Sequence, residues 1–269
     1  MTAFRGRVFQ RHPLMAFFVL AYLIGWAFVP FGSFGAFAPL VAALIVVPLS
    51  QGRAGLREWG SRLIRWRVAW YWYAVAVGLP LAVHLVTAWL QVVFADRVFS
   101  LSVSSVTTFL MVLGLRLINP PDGPLGEEPG WRGFALPGLQ GSGRSPLTAT
   151  LILALLVTGW HVPLFFLEEG GLQPNILVAG LLTTVAVTFW YSWLFNHTRG
   201  SVLMTLVAHS VEGSIHSSGW SYMITWCAVA ILLVVFNRTA WRRPIAGELT
   251  TQFTTDGSQP ATAPRRVRP

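Results

Sequence analysis

Long apolar windows recur along this chain, and they limit the folds that it can adopt. A helix needs about 20 mostly apolar residues to cross the hydrocarbon core of a bilayer. Windows of that kind cover approximately residues 13–31, 34–50, 69–94, 102–119, 146–167, 174–195, 201–217 and 219–236. The fourth and seventh are the weakest, being short and rich in Ser, Thr or His. The sequence therefore predicts an all-helical, polytopic membrane protein with about eight transmembrane helices.

The distribution of arginine supports an even number of spans. With eight spans, 18 of the 19 basic residues, all of them arginine, fall on one side of the membrane. Only Arg97 falls on the other side, together with Glu168 and Glu169. The positive-inside rule then places both termini in the cytoplasm. We predict a multi-pass protein of the cell inner (plasma) membrane, because seven or nine spans would break this segregation.

Composition excludes several other classes. Only 11% of the residues are charged, against about 25% in soluble domains. The arginines lie between apolar segments rather than on an amphipathic face, so we expect the lipid bilayer as a partner and no nucleic acid. The single cysteine, Cys227, excludes a disulfide or a Cys-based zinc site within one chain. We predict one helical domain over 1–245 and a disordered cytoplasmic tail over 246–269, where periodicity ends.

Ionisable residues at membrane depth are costly and are tolerated mainly at functional or paired sites. Three places qualify in this sequence. Glu127, Glu128 and Arg132 crowd together in "GEEPGWRG", His161 lies in "TGWHVPLFF", and His209 lies in "LVAHSVEGS". Histidines elsewhere, His84 among them, are expected at membrane interfaces without a role in a site.

The local sequence around the glutamates predicts unlike environments for the two carboxylates. Pro129 suits the first turn of a helix, so we predict a helix that begins at Glu128 or Pro129. Glu128 and Arg132 are then four residues apart and within pairing reach. Glu127 is less well paired, and burial is expected to raise its pKa toward neutrality. The alternative is a cytoplasmic loop with a capped helix and a surface ion pair.

The histidines also have two interpretations each. His161 is either a proton-transfer group or a core histidine that is hydrogen-bonded to a helix carbonyl. His209 is followed three residues later by Glu212, which is either its pairing partner or part of the same site.

The segments "EEPGWRGFALPGL", "WHVPLFF" and "SVLMTLVAHS" resemble the CPBP family, the CAAX protease and bacteriocin-processing (Abi) intramembrane proteases. The first family motif is Glu-Glu-x-x-x-Arg, the second an aromatic residue four before a His, and the third His-x-x-x-Asn or Asp. The resemblance covers about 120–217 and implies an eight-span helical fold that hydrolyses a membrane-associated peptide or protein.

The resemblance also implies roles for individual residues. Glu127 would activate water with the help of His161, while Glu128 and Arg132 would form a supporting pair. His209 would donate a hydrogen bond to the oxyanion. Both glutamate-dependent and metal-dependent mechanisms are consistent with the family. In the second case the cofactor would be a divalent metal such as zinc, with Glu127, His161 and His209 as ligands.

The sequence departs from the family pattern at two positions. Val157 stands where the second motif has an aromatic residue, and Gly213 stands where the third has Asn or Asp. Because Gly213 has no side-chain donor, half of the implied oxyanion hole is missing; one such donor is worth about 2.7 to 4 kcal/mol.

The leading hypothesis is an intramembrane endopeptidase whose substrate the sequence does not name. The alternatives are a catalytically weakened or inactive relative that binds membrane peptides or lipids, and a transporter with a proton relay. The zincin motif His-Glu-x-x-His and the serine-hydrolase motif Gly-x-Ser-x-Gly are both missing.

Overall fold

The computed structural model describes residues 9–95, 98–99, 101, 105–167 and 173–243. Within those ranges the chain is helical, and no β-strand occurs. The predicted tail, Arg97 and the pair Glu168 and Glu169 lie outside the described residues. The α-helices in chain order are α1 (Pro13–Trp26), α2 (Ala38–Leu63), α3 (Tyr71–Ala95), α4 (Val106–Ile118), α5 (Pro124–Gly130), α6 (Leu136–Gly141), α7 (Pro146–His161), α8 (Leu164–Leu167), α9 (Pro174–His197), α10 (Val202–Gly213), α11 (Gly219–Phe236) and α12 (Arg238–Arg242).

Six helical segments in the described ranges are long and apolar enough to cross a membrane. They are Pro13–Phe31, Ala38–Leu63, Tyr71–Ala95, Pro146–Leu167, Pro174–His197 and Gly219–Phe236. Each overlaps one of the predicted windows. The all-helical class of a multi-pass membrane protein is therefore confirmed, with six candidate spans.

The other two predicted windows correspond to shorter helices. Helix α4 has 13 residues and α10 has 12. At 1.5 Å per residue they extend over roughly 20 and 18 Å, less than the hydrocarbon core of about 30 Å. Ser105 and Ser201 cap their N-termini, because each side chain accepts a hydrogen bond from a backbone N–H three residues on. The prediction of eight crossings therefore stays a proposal.

Helix α2 continues beyond its predicted end at residue 50. The backbone breaks at Gly52, where φ is 64° and ψ is −156°, and becomes helical again up to Leu63. A positive φ favours glycine, which has no Cβ. The predicted span ends at residue 50, and the helix between the break and Leu63 was not predicted. This second half of α2 contacts the segment that carries the two glutamates.

Two contacts from α2 hold that segment in place. Trp59 donates a hydrogen bond from Nε1 to the carbonyl of Pro129 at 2.9 Å, and Arg62 donates from Nη1 to the carbonyl of Gly133 at 3.0 Å. Both side chains are buried. Because backbone carbonyls that are buried need such donors, the two bonds stabilise the irregular backbone between α5 and α6.

Helix α5 begins at Pro124, earlier than the predicted start at Glu128 or Pro129. Helix α5 continues without a gap into a π-helical turn, Trp131–Ala135, and then into α6. Pro129 lies inside α5 rather than at its start. Its ring removes one N–H from the helical ladder, which is compatible with the change of helical type two residues later. Such π-helical turns are often found at functional sites.

Two hydrophobic clusters flank the polar residues of interest. The first joins α1, α2, the π-helical turn, α6 and α7, with Phe134 and Trp160 at its centre. The second joins α3, α9, α10 and α11 around Trp190 and Trp226. A polar cavity lies between the clusters, where α5, the π-helical turn, α7, α9 and α10 meet.

Candidate active site

Glu128 links three parts of the site through one carboxylate oxygen. Its Oε1 accepts a hydrogen bond from Nη1 of Arg132 at 3.0 Å and lies 3.0 Å from Nδ1 of His209. The glutamate and Arg132 are almost fully buried. The predicted pairing of Glu128 with Arg132 is confirmed, while the alternative of a surface ion pair is wrong because both side chains are removed from solvent.

An aromatic ring completes this group. The Tyr191 ring of α9 stacks on His209 with ring centres 5.0 Å apart, and the Arg132 guanidinium carbon lies 4.9 Å from the centre of the same ring. Contact between a cation and an aromatic face is favourable when it is desolvated. Tyr191 therefore helps to fix the orientation of both charged partners of Glu128.

Glu127 faces a different neighbour. Its Oε2 lies 3.6 Å from Nε2 of His161 and accepts a hydrogen bond from Nε1 of Trp131 at 3.3 Å. His161 in turn lies with Nδ1 2.8 Å from the carbonyl of Val157. The carbonyl oxygen can only accept, so Nδ1 carries the proton of that bond, and in the imidazolium form Nε2–H faces Glu127. The interpretation of His161 as a histidine bonded to a helix carbonyl is confirmed, and the same ring faces a carboxylate; its role in proton transfer stays a proposal.

The acidity of Glu127 differs from the expectation drawn from the sequence. Burial raises the pKa of the Glu127 carboxyl, but the positive charges of His161, His209 and Arg132 lower it by more, so that the pKa is about 2. The prediction of a raised pKa was wrong because it considered burial without these three neighbours. The carboxylate is therefore ionised at neutral pH.

A cavity of about 130 Å³ brings these groups together. A water molecule in the liquid has about 30 Å³, so the space is sufficient for several. Both polar and apolar side chains line the cavity. They belong to Glu127, Arg132, Val157, His161, Thr183, Thr184, Val187, Thr188, Tyr191, His209 and Glu212. Of the five residues predicted for the site, four reach the cavity, and Glu128 lies behind it in contact with Arg132 and His209.

Glu212 does not pair with His209, which was one of its two expected roles. The Tyr222 hydroxyl donates to Oε1 of Glu212, while the Glu212 backbone carbonyl lies 2.9 Å from Nε2 of His84. His84 also lies 2.8 Å from the Ser217 hydroxyl. Glu212 therefore connects the cavity to a second polar group on α3 and α11.

Sequence reasoning missed Tyr191, Tyr222 and His84. His84 was expected at a membrane interface but is fully buried and stacks on Tyr222. Its position near the middle of the window 69–94 was a usable signal, because polar residues at that depth need partners. Neither tyrosine gave such a signal, since aromatic residues are common throughout the apolar windows.

A metal was the expected alternative to a glutamate mechanism, with Glu127, His161 and His209 as ligands. In the ranges that the structure covers, no group of three or more His, Cys, Asp or Glu side chains is arranged to hold a metal ion. The side chains as arranged do not fit a three-ligand zinc site.

Known protein families include one that is similar to part of this chain. The sequence profile of a family described as type II CAAX prenyl endopeptidase Rce1-like matches residues 106–215. Over this segment the chain is similar to the CAAX protease (CPBP) family. No curated protein matches the chain. The CAAX protease segment runs from α4 to the turn after α10, and so includes every residue predicted for the site. The supporting residues Trp59 and Arg62 lie outside it.

Proposed function

We propose that this chain is an intramembrane endopeptidase that hydrolyses a peptide bond of a membrane-associated peptide or protein. The observation that carries the proposal is the shared cavity: Glu127, His161 and His209 come from three separate helices and line one polar space. Side chains that needed only a local hydrogen-bond partner would not have to share one cavity. The family of residues 106–215 supports the same reaction.

The contacts of Glu127 support its role as the base. In the proposed reaction Glu127 takes a proton from a water molecule in the cavity, and the water oxygen bonds to the scissile carbonyl carbon. His161 faces the same carboxylate at 3.6 Å and assists it as the second proton-transfer group. When the C–N bond breaks, the proton that this pair has received passes to the leaving nitrogen.

The contacts of His209 support a role at the carbonyl oxygen. Its Nδ1–H donates to Glu128, and Nε2 makes no hydrogen bond to any residue that the structure describes. In the imidazolium form both ring nitrogens carry a proton, so Nε2–H can donate a hydrogen bond to the oxyanion as negative charge develops. Glu128 and Arg132 are positioning residues, because they act on the reaction through His209.

The experiment uses the purified full chain in liposomes with a membrane-tethered peptide. We expect Glu127→Gln and His161→Ala to lower kcat by about 100-fold to 10,000-fold, the usual contribution of a general acid or base. His197→Ala is the matched control for His161. The His197 ring also lies 2.8 Å from a carbonyl one helical turn back, that of Trp193, but it does not line the cavity. Turnover that is unchanged in both site variants contradicts the assigned roles.

Gly213 favours a second candidate function, binding of membrane peptides with little or no turnover. The third family motif has Asn or Asp at this position, and glycine has no side-chain donor for the oxyanion. A pure binder would retain the tethered peptide without releasing a product. Detection of a cleaved product that depends on Glu127 therefore distinguishes the two candidates.

The six candidate spans support a membrane location. We propose that the protein lies in the inner (plasma) membrane of the cell, that it crosses this membrane eight times, and that both termini are in the cytoplasm. The distribution of arginine supports that arrangement.

A further inference from the structure

Another side chain occupies the space beside Gly213. A Cβ placed on Gly213 would lie 2.2 Å from Nη2 and 2.5 Å from Cζ of Arg116. Real Cβ atoms do not approach other atoms so closely. The Arg116 guanidinium, which comes from α4, therefore occupies the volume that a side chain at position 213 would use.

The polar contacts of Arg116 leave its terminal nitrogen Nη2 available for a further hydrogen bond. Nη1 donates to Oδ1 of Asp122 at 3.4 Å, and Nε is buried without a hydrogen-bond partner. Nη2, the nitrogen nearest to Gly213, makes no hydrogen bond within the part of the chain that the structure describes. The side chain as a whole is 16% exposed, so its charge is held largely away from solvent.

The guanidinium also lies on the side of the site where Glu127 is found. A Cβ on Gly123 would lie 3.3 Å from Oε1 of Glu127 and 3.9 Å from Nη2 of Arg116, so both atoms adjoin one point in space. Gly123 has a φ of 105°, which glycine adopts without strain. Gly213 itself follows His209 by one helical turn, so the guanidinium lies beside the helix face that carries this histidine.

We propose that Arg116 supplies the hydrogen-bond donor that position 213 lacks. Its Nη2–H binds the carbonyl oxygen of the scissile peptide together with His209 and stabilises the negative charge as the oxyanion forms. A guanidinium is suited to this task, since it carries a fixed positive charge and several N–H donors in one plane. This inference rests on the proposed endopeptidase function. It explains how a chain with Gly213 retains two donors at the oxyanion.

The test is a cycle of variants in the same liposome assay: Arg116→Ala, Gly213→Asn and the double substitution. We expect Arg116→Ala to lower kcat by about 100-fold to 1,000-fold, as loss of one oxyanion donor does, with little change in KM. Gly213→Asn alone should also lower kcat, because its Cβ meets the guanidinium. In the double variant the amide takes the vacated volume, so kcat should exceed that of Arg116→Ala by at least about tenfold.

Two further measurements separate this role from a structural one. Thermal unfolding of each variant in detergent detects misfolding, and Arg116→Lys retains the charge but loses the planar donors, so its kcat should lie between those of the native chain and Arg116→Ala. Arg144→Ala is the control, since Arg144 contacts Ser142 in an exposed turn and should leave turnover unchanged.

The possible failures are distinguishable. If the native chain cleaves the peptide, Glu127→Gln does not, and Arg116→Ala cleaves at the native rate, the role of Arg116 is overturned and the endopeptidase function stands. The same holds if the double variant is no faster than Arg116→Ala. If the native chain and Glu127→Gln show the same lack of turnover, the proposed function fails and the role of Arg116 fails with it.

Discussion

The adjacent side chains of Glu127 and Glu128 lie in different surroundings. Glu128 has a buried guanidinium and an imidazole as direct partners and does not reach the cavity. Glu127 has the looser contact with His161 and lines the cavity. A buried carboxylate that neutralises a buried cation is costly to remove, whereas one that faces water is not held by the fold to the same degree.

Glu128→Gln is therefore expected to destabilise the protein much more than Glu127→Gln. The amide cannot neutralise Arg132, which is 1% exposed, and breaking a buried pair in this way costs about 3 to 5 kcal/mol of unfolding free energy. Thermal or denaturant unfolding in detergent measures the difference. Glu58→Gln serves as the matched control.

The control has the same spacing but a different environment. Glu58 lies 2.7 Å from Arg62 four residues on, and its side chain is 32% exposed. Arg62 would also keep its bond to the carbonyl of Gly133. We expect a smaller loss of stability for this substitution, and an equal loss in the two variants would contradict the special burial of the Glu128 pair.

At the scale of the elements, glycine determines how closely α5 approaches α2. A Cβ on Gly126 would lie 2.6 Å from the carbonyl oxygen of Ala36, two residues before α2 begins, and one on Gly130 would lie 2.5 Å from that of Pro39 in α2. Because the obstructing atoms belong to the backbone, neither helix can accommodate a methyl group by a change of rotamer. The short α5 is thus positioned by contact of backbone against backbone, and the glutamates are positioned with it.

Gly130→Ala is expected to lower stability and turnover together. Overpacking of this kind costs about 1 to 3 kcal/mol, and a shift of α5 would also move Glu127 relative to His161. Gly60→Ala in α2 is the matched control, since nothing lies within 4 Å of its Cβ position. There alanine should be neutral or stabilise the helix by up to about 1 kcal/mol. Unfolding midpoints and initial rates for the two variants provide the comparison, and a stable, active Gly130→Ala protein would refute the close contact.

At the scale of the whole molecule, the number of crossings decides on which side of the membrane each connection lies. With only the six candidate spans, the connection that contains Ser142 would lie on the side opposite to both termini. If α4 and α10 also cross, it lies on the same side as the termini. The positive-inside rule favours the second arrangement, because Arg144 and Arg199 then join the other arginines.

Single cysteines distinguish these topologies in a Cys227→Ser background, which removes the one native thiol. The exposed positions Ser33, Ser142 and Thr239 are each replaced by cysteine and labelled with a membrane-impermeant reagent in intact cells and in lysed cells. We expect Ser142→Cys to be protected in intact cells as Thr239→Cys is, and Ser33→Cys to be labelled. Labelling of Ser142→Cys in intact cells would contradict eight crossings.

The parts of the fold that the sequence predicted are those that depend on local composition. Hydropathy located the six candidate spans, and the four-residue spacing predicted the pair of Glu128 and Arg132. The helix after Gly52 was missed, because its arginines resemble a cytoplasmic loop and its partner, the Gly133 carbonyl, is distant in sequence.

The candidate site was predictable only where a motif carried it. The contact of Arg116 with Gly213 joins α4 to the end of α10, and no spacing rule relates two such positions. The lowered pKa of Glu127 likewise depends on His161 and His209, which approach it only through the tertiary fold. Local rules predict which residues are costly to bury, but not which of them meet.

The lengths of α4 and α10 bear on how water enters. If these helices, of 13 and 12 residues, stand upright in the lipid, hydrophobic mismatch draws the two leaflets toward one another around them. Such local thinning of the bilayer shortens the route from the aqueous phase to Glu127 by several ångströms. An extended peptide bound to the bilayer surface would then reach the carboxylate without being pulled through the full hydrocarbon layer.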